Sequence, residues 1–460
     1  MKIFKSQRNP VLPLDIHIPD SEAHRMPDGK LYVYGSFDNK EEGFCSEKYH
    51  VVSTPDLEHW EIHDVSFTAQ DIPWLHAADS PAYQGIDWYH PTPFLQKMIA
   101  QMMEDWEKSG SKAEEQEQKT KDKESDLLFA PDCIYHNGKY YLYFCLSDNR
   151  EGVAVADRPE GPFTNPVQLP CGGIDPAVFV DDDGQAYYYW GQIFSHGVRL
   201  NPDMVSFRPE DVVDNLVTEE DHFFHEGSSV RKIGDTYYYV FADVERGKPT
   251  ALGYATGKSP LGPFQYQGII IDNEECDPAS WNNHGSIECI DGQWYVFYHR
   301  CSRNSQMHRR LCIEKIYIND DGTIDEVKMT SQGIGNPFTQ GERILGYQAC
   351  GMKGSCYIDV DREYGFEEKL TNLCTDDEAV FRYVKSDNPW KEMELTCTGS
   401  GMVSVFLNGE EAGRVTISGE KEKVQTVRLP ITMGAGEYEL MLRFEKPEGM
   451  ELMAVTLFSE

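Results

Sequence analysis

Residues 183–190 read Asp-Gly-Gln-Ala-Tyr-Tyr-Tyr-Trp, a turn dipeptide followed by an apolar run rich in aromatic side chains. Asp-Gly before such a run is typical of a tight hairpin turn that leads into a β-strand. The pattern recurs at four other places, residues 28–34, 137–144, 234–241 and 291–298. Five copies of one turn-and-strand unit predict a fold built from repeats.

The spacing of the copies indicates which repeat this is. Gly138, Gly184, Gly234 and Gly292 follow one another at intervals of 46, 50 and 58 residues. A propeller blade of four short strands takes about 40 to 50 residues. Gly29 precedes Gly138 by 109 residues, which is one period plus an insertion. We therefore predict an all-β fold whose first domain, residues 1–335, is a five-bladed β-propeller.

The insertion between the first and second blades falls at about residues 66–126. Apolar residues recur at helical spacing from Phe94 to Trp106, and the stretch from Lys108 to Asp126 is nearly all charged or small. This pattern predicts a short amphipathic helix followed by a solvated arm. The apolar stripe of the helix suits the top of the propeller, its flank or a subunit contact.

A second pattern begins after about residue 340, where the aromatic repeat ends. Short alternating runs follow at residues 356–360, 378–384, 392–398, 402–407, 413–417, 424–429, 438–444 and 452–458. Seven or eight strands with turn signals about every 8 to 12 residues are typical of a β-sandwich. We predict a sandwich of the jelly-roll kind over residues 340–460.

The charge balance excludes two classes of partner. The 460 residues carry 42 Lys and Arg against 77 Asp and Glu, a formal net charge of −35. Binding to nucleic acid or to an anionic membrane requires a basic surface, so we predict neither. Length and charge leave the formation of a homo-oligomer open.

Two further features predict a cytoplasmic location. The first ten residues lack the apolar core of a secretion signal, and no stretch approaches the roughly 20 apolar residues of a membrane span. The twelve cysteines include no Cys-x-x-Cys pair. Reduced, buried thiols are therefore expected rather than disulfides or structural zinc.

An ionisable residue precedes each turn glycine by six to nine positions: Asp20, Asp132, Asp175, Glu226 and His284. In a propeller the innermost strand of each blade starts near the axis, so equivalent positions converge. Any one of these residues alone is more typical of a turn or a cap. Five in register predict a cluster in which carboxylates raise one another's pKa, so that an acid and a base coexist near neutral pH.

At these residues the sequence resembles glycoside hydrolase family 43, whose members are five-bladed inverting glycosidases. The resemblance is carried by Ile18-Pro19-Asp20-Ser21, Ala130-Pro131-Asp132, residues 173–184, residues 225–227 and residues 283–286. It covers the whole predicted propeller. Asp20-Ser21 departs from the Asp-Pro that is usual in the family.

The resemblance implies a role for each carboxylate. Asp20 corresponds to the general base and Glu226 to the general acid, while Asp175 corresponds to the carboxylate that orients the acid and raises its pKa. Asp132 is interpreted as a substrate or structural ligand, and Asp15 is a second candidate for the base. Inversion needs an acid and a base roughly 6.5–9.5 Å apart and retention about 5–5.5 Å, a difference that sequence alone does not decide.

The resemblance also implies a calcium or other ion in the central channel beside His284. A hydrogen-bonded histidine is the alternative, because calcium prefers oxygen ligands. The chemistry itself requires no cofactor. Arg303, with Arg300, is a candidate to bind sugar hydroxyls or to keep a carboxylate ionised.

Aromatic residues near the predicted cluster, Phe37, Phe129 and Trp190, are candidates to stack on a sugar ring. The C-terminal domain is similar to a family 6 carbohydrate-binding module in length and position. Trp390 and Tyr383 are its candidate sugar contacts, and a purely structural sandwich is the alternative.

These features predict an exo-acting inverting glycosidase whose partner is an oligosaccharide substrate. The expected product is a terminal pentose, α-L-arabinofuranose, released from short plant-derived oligosaccharides. β-Xylosidase and exo-β-galactosidase activities are alternatives within the family. A phosphorylase, a fructosyl-transferring relative and a non-catalytic sugar-binding propeller are alternatives of other classes.

Overall fold

The computed structural model describes residues 2–13, 16–38, 45–76, 126–360 and 368–459. Five sheets follow one another along the first part of the chain and form the five predicted blades. Blade one contains β1 Lys2–Lys5, β2 Glu22–Arg25, β3 Leu31–Tyr34, β4 Lys48–Thr54 and β5 His59–Thr68. Blade two contains β6 Asp132–His136, β7 Lys139–Cys145, β8 Arg150–Ala156 and β9 Thr164–Gly172.

The remaining blades repeat this antiparallel order. Blade three contains β10 Ala177–Val180, β11 Ala186–Gln192, β12 Phe194–Arg199 and β13 Val213–Thr218. Blade four contains β14 Phe224–Ile233, β15 Thr236–Asp243, β16 Ala251–Gly257 and β17 Phe264–Asp272. Blade five contains β18 Ser286–Ile290, β19 Gln293–Ser302 and β20 Ser305–Ile316.

The repeated turn joins the innermost strand of each blade to the next strand, as predicted. In blade two, His136 pairs with Lys139 across a two-residue loop. The loop residues Asn137 and Gly138 both have positive φ, +47° and +86°. Positive φ at both positions is the type I′ geometry that matches the twist of a hairpin, and Asp291-Gly292 in blade five has it as well.

Several of the described tyrosines pack between blades rather than face solvent. The rings of Tyr143 and Tyr188 lie 5.1 Å apart, and those of Tyr189 and Tyr239 lie 5.5 Å apart. All four residues are fully buried. Each buried aromatic side chain removes about 150–250 Å² from water, so the repeated run is mainly a packing element.

The N-terminal segment closes the ring. Strand β1 pairs with the outer strand β5 of blade one. The chain then reaches blade five, where Val11 N–H donates to Leu311 O at 2.9 Å. Asn9 Oδ1 accepts from Ile313 N–H at 2.9 Å. The first and last blades are thereby tied by one segment of chain.

The C-terminal part forms a second all-β domain around one hydrophobic core. Its two longest strands, at residues 390–407 and 436–458, each pair with several different strands along their length. β-Bulges bend these strands without ending them. The strands are β21 Arg343–Leu345, β22 Gly351–Lys353, β23 Tyr357–Val360, β24 Glu368–Thr371, β25 Glu378–Ser386, β26 Trp390–Leu407, β27 Glu410–Ile417, β28 Gln425–Met433 and β29 Gly436–Phe458. Trp390 is 1% exposed in the core, so it is closed to a sugar ring in this structure. The division of the chain at residues 335–340 stays a prediction.

Helices are short in the described residues. They are α1 Glu219–His222 and four 3₁₀ turns, Ala69–Asp71, Pro209–Asp211, Glu274–Cys276 and Gly346–Gln348. The predicted helix at 94–106 lies outside the described residues, as does most of the insertion. No described helix has the length and apolar character to cross a membrane. All twelve cysteines are free, and Cys374 is the exposed one among them.

Candidate active site

A pocket of about 250 Å³ lies where the innermost strands of the blades begin. It brings together four of the five residues in register, Asp20, Asp175, Glu226 and His284. They come from the starts of β2, β10, β14 and β18, so the propeller repeat does make them converge. A larger groove of about 660 Å³ lies on the outside of blade four, where Lys258 and Asp321 are the charged residues of its lining.

Asp132 lies deeper along the channel than the other four. It is the first residue of β6, whereas Asp20, Asp175 and His284 each precede their strand by two residues. Ala130 occupies the equivalent position in blade two and lines the pocket. The shorter count before the turn glycine, six residues instead of eight or nine, was the signal for this offset.

The contacts of Asp132 link three blades. Asp132 Oδ1 lies 2.7 Å from His24 Nε2 in blade one. Asp132 Oδ2 accepts from Val178 N–H of blade three at 2.7 Å. Both carboxylate oxygens are thus engaged within the protein, and direct contact of Asp132 with substrate stays a prediction.

Asp20 is held in its ionised form at the base of the pocket. It is 4% exposed, and its Oδ1 accepts from Arg309 Nη1 at 2.7 Å. Its Oδ2 accepts from Ser36 Oγ at 2.6 Å. Burial alone would raise the pKa of Asp20, but the Arg309 charge and the Ser36 hydrogen bond act against burial, and the pKa of Asp20 is lowered. Asp20 therefore meets the requirement for a base.

A buried pair fixes the guanidinium that Asp20 needs. Arg309 Nη2 donates to Asp38 Oδ1 at 2.8 Å, and Arg309 Nε donates to Asp38 Oδ2 at 3.0 Å. Both residues are fully buried. Two parallel hydrogen bonds fix the plane of the guanidinium, so Arg309 presents its remaining edge to Asp20.

A hydrogen-bonded bridge joins the two ends of the pocket. The Asp20 backbone N–H donates to His299 Nδ1 at 3.4 Å, and His299 Nε2 lies 3.0 Å from Asn282 O. Burial, reinforced by Arg309, lowers the pKa of His299 to about 3, so this imidazole is neutral. Asn282 Nδ2 in turn donates to Glu226 Oε1 at 3.2 Å. The bridge sets the positions of Asp20 and Glu226 relative to each other.

Asp175 and Glu226 lie on the opposite side of the site from Asp20. Burial and the negative charges of Glu226 and Asp20 raise the pKa of Asp175 well above its ordinary value. Glu226 is half-buried, and its Oε2 accepts from Gln192 Nε2 at 2.9 Å. A carboxyl group whose pKa is raised in this way keeps its proton to higher pH than an ordinary aspartate. The pocket thus combines an ionised carboxylate, Asp20, with a carboxyl group that favours its protonated form, Asp175.

The backbone at this site is unusual in two places. Asp20 and Asp175 have φ of +54° and +57°, a region that residues other than glycine seldom adopt and that recurs at functional sites. Gly227, with φ +75°, donates its N–H to Asp175. A Cβ at this position would lie 2.9 Å from the His284 ring, so glycine is required for the close approach of these strands.

His284 is a poor centre for calcium. Its Nδ1 lies 3.6 Å from Asp175 Oδ2 and 3.9 Å from Asp20 Oδ1, and burial lowers its pKa. It offers one nitrogen to an ion that prefers six to eight oxygens, beside carboxyl groups that are already hydrogen-bonded within the protein. Among the described residues, the buried cluster with close ligand atoms is instead Glu22, His24 and Asp132, deeper in the channel.

That deeper cluster already holds a cation. Arg231 Nη2 donates to Glu22 Oε1 at 2.6 Å and to Ala23 O at 2.7 Å. Arg231 Nε also contacts Glu288 Oε2 of blade five at 3.3 Å. The guanidinium thus balances carboxylates from two blades at the place where an ion would bind.

We expect Arg231→Gln to lower the free energy of unfolding by about 3–5 kcal/mol, because it leaves buried carboxylates without their cation. Urea denaturation measures this. Arg246→Gln is the matched control, since Arg246 is 41% exposed and an exposed ion pair contributes about 0–1 kcal/mol. Calcium should raise the melting temperature of Arg231→Gln and leave the wild type unchanged. A wild type that loses stability in a chelator would contradict this account of the channel.

We expect Ser36→Ala to move the acidic limb of the kcat/KM profile to higher pH. A hydrogen bond to a charged group contributes about 1.5–3 kcal/mol, which corresponds to about 1–2 pH units. The direction follows because the hydroxyl lowers the pKa of Asp20 and the base must be ionised. Ser206→Ala, which removes a hydroxyl bonded to Asp203 outside the pocket, is the control. An unchanged profile in Ser36→Ala would show that this hydroxyl does not act on the base.

Of the three aromatic residues predicted to contact sugar, one lines the pocket and two do not. Phe129 lines the pocket. Trp190 is 1% exposed and stacks on His196 within blade three. Phe37 packs against His50 in blade one with ring centroids 4.7 Å apart. Neither Phe37 nor Trp190 is among the described residues that line the pocket, so their contact with sugar stays a prediction.

The arginine that reaches the pocket is Arg309 rather than either predicted one. Arg303 directs Nε towards Asp359 at 3.6 Å, and Arg300 Nη2 donates to Thr330 O at 2.6 Å. Alternation along a strand explains the difference, since Cys301 pairs with Arg309 across the β19–β20 hairpin and shares its face. Arg300 lies on the opposite face. The register of this hairpin, which no motif in the sequence marks, decides which arginine faces the pocket.

Several other lining residues were also absent from the predicted set. They are Cys45, Ala130, Ile174, Gln192, His225, Trp281, Asn282, Gln306 and Arg309. Ala130, Ile174, Trp281 and Asn282 precede an inner strand, whereas Gln192, His225, Gln306 and Arg309 lie within strands of blades three, four and five. His225 Nδ1 lies 2.9 Å from Glu219 Oε1 of α1, which places this short helix beside the pocket.

Comparison with known proteins points to one family of glycoside hydrolases. The profile of glycosyl hydrolases family 43 matches residues 82–324, more than half of the chain. A protein named xylosidase/arabinosidase from Thermoclostridium stercorarium is 29% identical over 90% of this chain and 91% of its own length. Another of that name from Bacteroides ovatus is 28% identical over 70% of this chain and 98% of its own.

Solved structures extend the comparison. A β-xylosidase/α-arabinofuranosidase of the same family from a compost microbial metagenome, in complex with xylotriose and calcium-free, is 27% identical. Its TM-score is 0.53, and the match covers 71% of this chain and 98% of that one. An arabinoxylan arabinofuranohydrolase from Bacillus subtilis, in complex with cellotetraose, shares the fold over 97% of this chain and 96% of its own. Its identity is 20% and its TM-score 0.51.

Proposed function

Because this chain belongs to glycoside hydrolase family 43, we propose that it removes a terminal pentose, α-L-arabinofuranose, from plant-derived oligosaccharides with inversion of configuration. The chain is a glycoside hydrolase. The proposal concerns which sugar it releases and which residues act. The alternative of a non-catalytic sugar-binding propeller is not supported, because the relatives are named as hydrolases and the pocket retains its three acids.

The observation that carries the proposal is the small pocket with one ionised carboxylate buried at its base. Its volume of about 250 Å³ is below the roughly 300–1,000 Å³ of sites for drug-sized ligands, which favours a single terminal sugar over a long chain. Arg309, which is fully buried, lines the pocket beside Asp20. A small pocket with a buried base favours exo action on a chain end.

We assign the three carboxyl groups as follows. Asp20, held ionised by Arg309, activates the water. Glu226, on the exposed side, protonates the departing oxygen. Asp175, which accepts the Gly227 N–H next to Glu226, keeps the acid in place. No step needs a metal ion or an organic cofactor, and His284 acts in the proposal as a neutral neighbour of the two aspartates.

β-D-Xylose is the second candidate for the terminal sugar. The specific support is that relatives over most of this chain are named xylosidase/arabinosidase, and that one relative named β-xylosidase, from Xylanibacter ruminicola, is 33% identical over 44% of this chain. Both sugars are pentoses of similar size. Exo-β-galactosidase activity has no comparable support, since the matching exo-β-1,3-galactanase structure is 13% identical and shows the fold alone. Action on imported oligosaccharides in the cytoplasm stays a prediction from the sequence.

A panel of aryl glycosides tests the proposal. The purified protein is incubated with aryl α-L-arabinofuranoside, β-D-xyloside and β-D-galactoside, and release of the aryl alcohol is followed. The matched control is Asp20→Asn/Glu226→Gln. We expect turnover of the arabinofuranoside that the control lacks. Turnover of the xyloside alone would replace the proposed sugar by xylose. No release of aryl alcohol from any of the three substrates would overturn the proposal.

A further inference from the structure

Trp281 stands out at the mouth of the pocket. It is a large apolar side chain that is 49% exposed, and it lines the same pocket as Asp20 and Glu226. Its neighbours Ser280, Asn282 and Asn283 are all buried. An exposed tryptophan within a buried run is a candidate contact for a ligand rather than a part of the core.

The segment that carries Trp281 is fixed by hydrogen bonds. Asn283 N–H donates to Pro249 O at 2.7 Å. Asn283 Nδ2 donates to Thr250 O at 3.1 Å, and Asn273 Nδ2 donates to Asn282 O at 3.0 Å. A ring on such a segment can contact a ligand with little further loss of backbone entropy, because the backbone is already ordered.

The exposed fractions of the base, the acid and Trp281 show on which side of the acid Trp281 lies. Asp20 is buried at the base of the pocket, Glu226 is half-buried, and Trp281 is the most exposed of the three. Asn282, which follows Trp281, donates directly to Glu226. Since the general acid protonates the oxygen that links the released sugar to the next one, the side beyond the acid is where the leaving group lies.

We propose that Trp281 is the binding platform for the leaving-group sugar, and that this sugar is a pyranose such as a β-1,4-linked xylose. The inference rests on the proposed function, because it takes Glu226 as the acid. A xylopyranose ring with equatorial hydroxyls presents two faces of C–H groups, and these pack on the negative face of an indole. The pocket then recognises the terminal pentose, and Trp281 recognises the main-chain residue to which it is attached.

Substrates that differ only in the leaving group test this assignment. The pentosyl fluoride releases fluoride, which is too small to reach Trp281, whereas the same pentose linked to xylobiose places a sugar there. We expect Trp281→Ala to lower kcat/KM on the oligosaccharide about tenfold and to change that on the fluoride less than about twofold. Trp281→Phe, which keeps a ring, should recover most of the loss. Tyr317→Ala, at a residue that is 63% exposed and outside the pocket lining, is the control and should leave both substrates unchanged.

The outcomes separate this inference from the proposed function. Equal losses on both substrates, or no loss on either, would overturn the role of Trp281 while leaving the glycosidase in place. If the wild type hydrolyses neither substrate, the proposed function fails and a binding measurement decides the inference. Titration calorimetry of xylotriose with Glu226→Gln protein, with and without Trp281→Ala, should then show a Kd about tenfold higher without the ring. An unchanged Kd would overturn the platform.

Discussion

Asp20→Asn should lower kcat/KM about 10²–10⁴-fold on aryl glycosides and oligosaccharides alike, because both need an activated water and an amide cannot accept its proton. The substitution keeps the shape of the side chain and an oxygen for the Ser36 hydroxyl, so the fold should be retained. Steady-state kinetics with both kinds of substrate, together with a thermal melt, measure the effect. We expect no other substitution to cause so large a loss on both kinds of substrate.

The control for Asp20→Asn is Asp182→Asn, which changes a carboxylate that is 85% exposed on blade three. It should leave activity unchanged. Substantial residual activity in Asp20→Asn would contradict its assignment as the base. Asp15, the second candidate from the sequence, lies outside the described residues, and Asp15→Asn would then be the variant to measure.

Glu226→Gln should have an effect that depends on the leaving group. We expect a loss of about 10²–10⁴-fold on oligosaccharides, whose departing oxygen needs a proton, and a much smaller loss on dinitrophenyl glycosides, which leave as stable anions. The amide oxygen can accept from one of the two side chains, Gln192 and Asn282, that now donate to the carboxylate. The measurement is kcat/KM against the pKa of the leaving group.

The slope of that plot is the decisive quantity. It should be steep for Glu226→Gln and shallow for the wild type. Gln192→Ala is a useful comparison, because it removes one hydrogen bond to Glu226 while the acid remains, and its slope should stay close to that of the wild type. Equal losses on good and poor leaving groups would exclude Glu226 as the acid.

The fold was predictable from the sequence because turn chemistry and period carry local information. Each repeated glycine has positive φ in the structure, as a hairpin turn requires. Beyond residue 340 the same reasoning separated residues 392–398 from 402–407, whereas the structure has one strand, β26. Gly399-Ser400-Gly401 resembles a turn in the sequence, but pairing with β29 continues across it through bulges. Only the partner strand distinguishes a bulge from a turn.

The sequence predicted the site residues that lie at equivalent positions of the repeat. It did not predict the residue whose place depends on how later strands pair. Asp20, Asp175, Glu226 and His284 converge because equivalent positions in the blades meet at the axis. Arg309 reaches Asp20 from 289 residues away in the chain, through the register of the β19–β20 hairpin. No local pattern marks that contact. A buried carboxylate does need a cationic partner, so the sequence predicts that Asp20 has one without showing which residue it is.

The most direct test of the account is proton NMR of the first sugar formed. The wild type is mixed with an arabinofuranosylated xylo-oligosaccharide, and the anomeric region is followed before mutarotation. We predict free β-L-arabinofuranose first, with the xylo-oligosaccharide left at its full length. A first product of α configuration would indicate a nucleophile instead of a base. That result, or shortened xylo-oligosaccharide chains from internal cleavage, would contradict an inverting exo-acting site built on Asp20 and Glu226.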